Sequence, residues 1–262
     1  MAKICPLFSG STGNSTLISG PDGGILIDAG VSAKRIKDKI LNLSCEFDKI
    51  NAIAITHTHS DHISGLKVLL KSLKCPLIAS KETISALEFS GVLENAKEVI
   101  EIADSPIELG GGVLNFFSTS HDSPGSGGYS YTFSSGKKIT VCTDLGIVTD
   151  NVRKALVGSD ILLLESNHDT EMLKHGPYPA RLKLRILSDK GHLSNTACSA
   201  ELPKLLESGT SRFILGHLSL HNNLPMLAYS SAKASLSDIG AKENEDYILS
   251  IAKPQDSQVI TV

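Results

Sequence analysis

Residues 56–62 read Thr-His-Thr-His-Ser-Asp-His, and they hold three of the nine histidines of the chain together with an aspartate. Neutral imidazole and carboxylate groups are ligands for zinc and similar divalent metal ions. A cluster of this kind is improbable by chance in a chain of this composition, so it predicts a metal site. The alternative interpretation is a histidine-rich turn on the surface.

The spacing within residues 56–62 restricts the local structure. Ligands at positions i, i+2, i+4 and i+5 do not share one face of a helix, but they suit the end of a strand that bends into a helix. The flanks agree, because Ile50–Ile55 is an apolar run typical of a buried strand and Ile63–Leu70 has the apolar spacing of a helix. The sequence therefore predicts ligands at a strand end.

Composition limits the class of protein. The chain has 262 residues, of which 41% are hydrophobic, enough for one large domain or two small ones. No apolar run approaches the ~20 residues of a membrane span. The net charge is −3, so a nucleic-acid substrate would need a local basic patch. The first residues show no signal-peptide pattern, which favours the cytoplasm.

The cysteines are odd in number, widely spaced and without a Cys-x-x-Cys pair, which predicts reduced and mostly buried thiols. They are Cys5, Cys45, Cys75, Cys142 and Cys198.

Polar residues recur where predicted apolar strands end. The strands predicted at Ile25–Ala29, Val113–Ser120, Lys138–Thr143, Ile161–Leu164 and Phe213–Gly216 bring Asp28, His121, Asp144, Glu165 and His217 to such positions. Two metal ions ~3.5–4 Å apart need about six or seven protein ligands. The strand ends supply His57, His59, Asp61, His62, His121, Asp144 and His217. Taken singly, a histidine after a strand is more often an ordinary surface or core residue.

Helices and loops are predicted between these strands. Ser32, Ser80 and Asp150 are predicted N-caps, with the first two helices running to about Leu43 and Phe89. Further helices are predicted around residues 180–187 and 195–207, and Pro203 should kink or restart the second of them. The polar loop at residues 9–14 is either a phosphate-binding nest or a simple hairpin connection.

The signature at residues 56–62, placed after an apolar strand, resembles that of the metallo-β-lactamase superfamily. Asp28, His121, Thr143-Asp144 and Gly216-His217 resemble the first, third, fourth and fifth motifs of that superfamily. The resemblance implies an αββα fold, in which two mixed sheets are flanked by helices, as a single domain over residues 1–262.

The same resemblance implies a ligand set. His57, His59 and His121 would hold one metal ion, and Asp61, His62 and His217 would hold the other. Asp144 would bridge the two ions, and Asp28 would fix the loop that carries the cluster.

A closer resemblance covers nearly the whole chain. Six segments, at residues 5–16, 28–32, 120–123, 143–146, 165–169 and 191–195, resemble the YycJ (WalJ or VicX) family of bacterial 5′-to-3′ DNA exonucleases. Only about 70 residues separate Asp144 from His217, so the β-CASP-type insertion of RNase J nucleases is expected to be absent.

Glu165 and His192 stand in positions similar to those of a glutamate and a histidine in RNase Z enzymes. The carboxylate would raise the pKa of the imidazole and orient it, so that His192 could protonate a leaving alkoxide. Asp61 is expected to be catalytic as well as metal-ligating. The alternative is that His192 only neighbours a helix cap and that Glu165 is a buried structural acid.

A local basic patch precedes His192 and comprises Lys174, Arg181, Lys183, Arg185 and Lys190. Arg181 and Arg185 lie one helical turn apart and could contact successive phosphates. The alternative is a solvated helix face.

Together these features predict a metal-dependent phosphodiesterase that degrades DNA from the 5′ end, with single-stranded DNA or duplex ends as substrate and no membrane partner. Its cofactors would be two divalent ions, zinc or manganese, with iron also compatible. Three alternatives stay open: a thioester or lactone hydrolase of the same fold, an RNA-processing nuclease, and a non-enzymatic regulator stabilised by metal. The sequence does not predict the oligomeric state.

Overall fold

The computed structural model describes residues 1–43, 47–255 and 258–262, and Cys45 lies outside these ranges. The described residues form two mixed β-sheets of seven strands each. The first sheet has the spatial order β14 (Ile260–Thr261), β1 (Lys3–Phe8), β2 (Ser15–Gly20), β3 (Gly23–Ile27), β4 (Ile50–Ala54), β5 (Leu77–Ala79), β6 (Val99–Glu101). Strands β14 to β3 are antiparallel to their neighbours, whereas β3 to β6 run parallel.

The second sheet repeats this plan. Its spatial order is β13 (Ile248–Ile251), β12 (Arg212–Gly216), β11 (Ile161–Glu165), β10 (Lys138–Cys142), β9 (Gly127–Phe133), β8 (Gly112–Ser118), β7 (Ile107–Leu109). Strands β10 to β13 are parallel, and β7 to β10 are antiparallel. The parallel halves matter for function, because the carboxyl ends of parallel strands meet at one edge of a sheet.

Helices cover the outer face of each sheet. Those before the second sheet are α1 (Ala33–Asn42), α2 (Ser60–Ile63), α3 (Leu66–Ser72) and α4 (Lys81–Phe89). Those within it are α5 (Asp150–Leu156), α6 (Thr170–His175), α7 (Ala180–Ile186), α8 (Asn195–Glu207) and α9 (Pro225–Asp238). Two 3₁₀ turns lie at Phe47–Lys49 and Val92–Asn95.

Three apolar layers hold the four structural layers together. In β3, Ile25 and Ile27 face the second sheet, while Leu26 faces the first sheet's helices. In β11, Leu163 faces the first sheet, while Leu162 packs with the helices of the second. This alternation follows the period of two of a strand, and burial on both faces explains the continuous apolar runs. The predicted αββα fold class is therefore confirmed.

The N-caps differ in part from the predictions. The side chain of Ser80 accepts a hydrogen bond from the Thr83 amide, as expected for a cap. Ser32 precedes α1 but makes no side-chain cap bond. The prediction for Asp150 was wrong by one residue, because the hydroxyl of Thr149 accepts from the Val152 amide and Asp150 is the first helical residue.

The predicted restart at Pro203 was wrong, since α8 runs unbroken from Asn195 to Glu207. Proline removes the amide that would bond to the carbonyl four residues earlier, which belongs to Ser199. The hydroxyl of Ser235, on α9, donates to that carbonyl at 2.8 Å. The neighbouring helix therefore satisfies the group that the proline leaves unpaired.

Four cysteines, Cys5, Cys75, Cys142 and Cys198, are buried and free, in agreement with the predicted reduced thiols. Among the residues that the structure describes, no helix combines the length and the apolar character needed to cross a bilayer.

Candidate metal centre

All seven predicted ligands lie in one cluster at the carboxyl ends of the strands. His57 follows β4, Asp144 follows β10 and His217 follows β12, while α2 carries Asp61 and His62. Overlapping groups of these side chains, each with ligand atoms within 4.8 Å of one another, could hold a metal ion. The roles of the individual residues stay predictions.

Three ring nitrogens meet in the first group. His59 Nδ1 lies 3.1 Å from His57 Nε2 and 3.2 Å from His121 Nε2. Tetrahedral ligands at zinc distances of ~2.0–2.1 Å lie ~3.3 Å apart, so this spacing is close to that of a metal site. Without an ion, three nitrogens this close could not all be satisfied by one another's protons.

The second group combines one carboxylate with two imidazoles. Asp61 Oδ2 lies 3.6 Å from His62 Nε2 and 3.7 Å from His217 Nε2. Asp144 stands between the groups, with Oδ2 3.3 Å from His62 Nε2 and Oδ1 3.8 Å from His121 Nε2. One carboxylate thus offers an oxygen to each side.

Two buried atoms of the cluster test whether it fits a metal. Asp144 Oδ2 and His217 Nε2 make no hydrogen bond of acceptable geometry among the described residues, although Asp144 Oδ2 lies 3.3 Å from His62 Nε2. Buried polar atoms are almost always paired, so each unpaired one needs an explanation. Both point to the same chemistry, because an oxygen and an imidazole nitrogen are ligands for divalent ions. The donor set therefore fits the implied metal ions.

Hydrogen bonds outside the cluster select which nitrogen each imidazole presents. His62 Nδ1 lies 2.7 Å from Asp28 Oδ2, and His121 Nδ1 lies 3.0 Å from the carbonyl oxygen of Gly191. Nδ1 of His217 lies 2.6 Å from Oε1 of Glu165. Because Nδ1 is engaged in each case, Nε2 is left to face the centre.

Asp28 also fixes the loop that carries the cluster. Its Oδ1 accepts from the Thr56 amide and its Oδ2 from the Thr56 hydroxyl, both at 2.8 Å. Burial would lower the pKa of His62, but the carboxylates of Asp144 and Asp28 raise it to about 10. The centre thus strongly favours positive charge at this point, as a metal site should.

The backbone is strained at three residues of the site. Asp28, Asp144 and His217 have φ angles of 63°, 60° and 55°, in the left-handed region that L-residues rarely adopt. Each lies at or just after the end of a strand, where the chain turns sharply. Such strain costs on the order of 1–3 kcal/mol per residue and persists only where the surroundings impose it.

The loop at residues 9–14 supports the site in a way that the sequence did not reveal. It connects the antiparallel strands β1 and β2, as the hairpin interpretation predicted. Asn14 Nδ2 donates to Asp61 Oδ2 at 3.3 Å and lies 3.0 Å from His62 Nε2. The hydroxyl of Ser9 accepts from the His217 amide. The loop therefore positions ligands; its polar residues directly after β1 were the available signal.

Glu165 and His192 lie in contact. Oε1 of Glu165 lies 2.9 Å from His192 Nδ1, and its Oε2 accepts from the amides of Leu145 and Leu193. Glu165 is fully buried, which would raise its pKa, but His192 and His217 lower the pKa to about 2. The residue is thus an ionised carboxylate that orients two imidazoles at once.

The two predicted substrate-binding arginines differ in their surroundings. The guanidinium of Arg185 binds both carboxylate oxygens of Asp122. Asp122 in turn lies 3.6 Å from His59 Nε2, a contact that the sequence analysis missed. Arg181 is exposed and makes no hydrogen bond or ion pair within the described part of the chain. Of these two arginines, Arg181 is free of an ion pair, whereas Arg185 is paired and lines the cavity described below.

A cavity of about 330 Å³ opens beside the cluster. Its polar lining includes His59, Asp61, Asp144, His192 and His217, and its apolar lining comprises Tyr178, Leu182 and Ile186. A small substrate can thus reach the metal centre and His192 together.

Comparison with known proteins agrees with this geometry. A model of the beta-lactamase superfamily domain matches residues 24–218. The chain is 32% identical over 252 residues to "Exodeoxyribonuclease YycJ" of Bacillus anthracis, which covers 95% of this chain and 94% of that protein. It is 33% identical over 263 residues to "Exodeoxyribonuclease WalJ" of Streptococcus pneumoniae serotype 2, with 99% and 97% covered.

Among solved structures, the metallo-beta-lactamase fold protein YhfI of Bacillus subtilis matches with a TM-score of 0.71. The match covers 99% of this chain and 100% of that one at 17% identity. At this identity the similarity shows the fold alone.

Proposed function

The chain belongs to the beta-lactamase superfamily, and within it to the family of YycJ and WalJ, and we propose that it is a metal-dependent exodeoxyribonuclease. The observation that carries the proposal is that relatives with this activity in their names match nearly the full chain. The meeting of all seven candidate ligands in one cluster supports it.

The proposed metal ions are two divalent cations, zinc or manganese, with iron also compatible with nitrogen and oxygen ligands. His57, His59 and His121 would hold one ion; Asp61, His62 and His217 would hold the other, with Asp144 between them. When bound, the ions would supply Lewis acidity toward the attacking water and the phosphoryl oxygens.

His192 is the proposed proton donor to the leaving oxygen. Glu165 engages its Nδ1, so the proton available to the substrate is the one on Nε2. His192 lines the cavity beside His217, with 5.2 Å between the ring centroids. A leaving alkoxide near the second ligand group would therefore lie within reach of this imidazole.

The proposed substrate is DNA, which the enzyme would degrade from a 5′ end. That end would be single-stranded or lie at a duplex terminus. Arg185, which lines the cavity while paired with Asp122, and the exposed Arg181 on the same helix would contribute phosphate contacts. The proposed location is the cytoplasm, where bacterial DNA lies.

Degradation of a 5′-phosphorylated single-stranded DNA, labelled at either terminus, tests the proposal. We expect zinc- or manganese-loaded protein to shorten the strand from the 5′ end, and Asp61→Ala to abolish the reaction. No cleavage by protein shown to contain metal would contradict the proposal and favour a small ester or thioester substrate. Cleavage of RNA in place of DNA would favour the RNA-processing alternative.

A further inference from the structure

The lining of the cavity beside the candidate metal centre has a polar and an apolar part. The polar part includes candidate ligands and His192, and the apolar part comprises Tyr178, Leu182 and Ile186; Arg185, on the same helix as Leu182 and Ile186, also lines the cavity. Leu182 and Ile186 are one turn apart on α7, so they share a face of that helix. Phosphodiester cleavage needs the polar residues of this lining, but nothing in that chemistry requires the apolar ones.

The position of Tyr178 is typical of a ligand-binding residue and not of a core residue. Its ring is half-buried and lies outside the three apolar core clusters formed by the described residues. Its hydroxyl makes no hydrogen bond within that part of the chain. The ring of His221 meets it edge to face, with 5.8 Å between centroids, which orients the tyrosine.

A nucleotide has the two unlike halves that this cavity offers. Its phosphate is anionic and suits the metal side, while its base is a flat ring that stacks on aromatic and apolar side chains. Resting on the proposed exonuclease function, we propose that Tyr178, Leu182 and Ile186 form a subsite for the base of the terminal nucleotide, with Tyr178 as the stacking platform.

The subsite has a consequence for substrate choice. A base in a duplex is stacked and paired, so it reaches Tyr178 only after the terminal pair opens. Single-stranded ends should therefore bind more tightly than blunt duplex ends. Stacking on a tyrosine distinguishes the four bases only weakly, so sequence preference should be small.

The test uses the metal-loaded full chain and 5′-phosphorylated single-stranded oligonucleotides with phosphorothioate linkages, which slow cleavage. One oligonucleotide carries 2-aminopurine at the 5′ terminal position, and its twin is abasic there. Affinity is measured by anisotropy, and the 2-aminopurine fluorescence lifetime reports stacking. The test variants are Tyr178→Ala and Tyr178→Phe. The control is Phe89→Ala, because Phe89 is an aromatic residue that is 95% exposed and lies outside the cavity lining.

We expect Tyr178→Ala to weaken binding of the 2-aminopurine strand about tenfold or more and to leave the abasic strand unchanged. Tyr178→Phe and Phe89→Ala should bind both strands like the wild type. Equal effects on the two strands, or no effect on either, would overturn the subsite while the exonuclease function stands. Failure of the wild type to bind either strand would overturn both proposals.

Discussion

Single residues at this site do two things at once. Glu165 orients His217, a candidate ligand, and His192, the proposed acid, through the same oxygen atom. Asp144 offers one oxygen to each ligand group from a strained backbone conformation. A substitution here should therefore disturb metal binding and proton transfer together, unless it is chosen to separate them.

His192→Ala separates the two roles, because His192 lies outside the proposed ligand set. Loss of a positioned acid should lower kcat on DNA about 10²- to 10⁴-fold, since the leaving alkoxide needs a proton. Hydrolysis of a p-nitrophenyl phosphodiester should change little, because p-nitrophenolate leaves without one. Parallel assays on the two substrates measure this; equal losses on both would contradict a role as acid.

The buried imidazole of His168 should make the stability of the protein depend on pH. Its side chain is buried, its ring nitrogens have no partner among the described residues, and burial lowers its pKa to about 4. The unfolded chain takes up a proton below pH 6.5, whereas the folded chain does so only near pH 4. The free energy of unfolding should therefore fall as the pH drops through this window, by up to ~3 kcal/mol.

Urea unfolding of the wild type and His168→Gln between pH 7 and pH 4 checks this term. The variant should lose less stability than the wild type on acidification, because glutamine does not titrate. Parallel decreases in the two proteins would show that His168 does not contribute.

At the scale of elements, the site depends on close backbone contacts between loops. Gly30 follows β3, and its amide donates to the carbonyl of Asn14, whose own amide donates to the carbonyl of Asp61. A Cβ atom at Gly30 would lie 1.7 Å from the Asp61 carbonyl oxygen. The loop that carries two candidate ligands can therefore pack only against a residue without a side chain.

Gly30→Ala should displace Asp61 and His62, lower metal affinity and lower the melting temperature by several degrees. The matched control is Gly158→Ala, where an added Cβ meets nothing within 4 Å and only the positive φ angle adds cost. Metal titration followed by thermal unfolding measures both variants. An affinity for metal equal to that of the control would contradict this packing role.

The hydrogen bond between α8 and α9 should contribute to stability. Ser235→Ala would leave the Ser199 carbonyl unpaired beside Pro203, at a cost of about 1–3 kcal/mol. With Pro203→Ala present, the new amide can bond to that carbonyl, so Ser235→Ala should cost less. A double-mutant cycle by chemical unfolding measures the coupling, and additive effects would argue against it.

At the scale of the whole molecule, the sequence predicted the fold class and the family because both depend on local patterns. Buried strands read as apolar runs, and the residues after them, such as His57 and His217, could be recognised one strand at a time. Asn14 and Asp122 could not be found this way. Asn14 contacts a residue 47 positions away and Asp122 one 63 positions away, and these pairings exist only once the sheets have stacked.

Contacts between distant residues also decided the outcome for the basic patch and for Pro203, and local sequence patterns could not predict them. Sequence spacing placed Arg181 and Arg185 one turn apart, but it could not show that Arg185 binds Asp122. Likewise, the effect of Pro203 on α8 depended on a hydroxyl from another helix. In each case a partner distant in the sequence changed the outcome that the local sequence pattern had predicted.

We propose that one strand-end cluster binds two metal ions and uses them to hydrolyse DNA. Stepwise addition of zinc or manganese to metal-depleted protein, with metal content and DNA hydrolysis measured at each step, tests it most directly. We expect hydrolysis to reach its maximum at two equivalents per chain, and His121→Ala and His217→Ala each to bind one equivalent fewer. Full hydrolysis without metal, or two tightly bound equivalents in both variants, would contradict the claim.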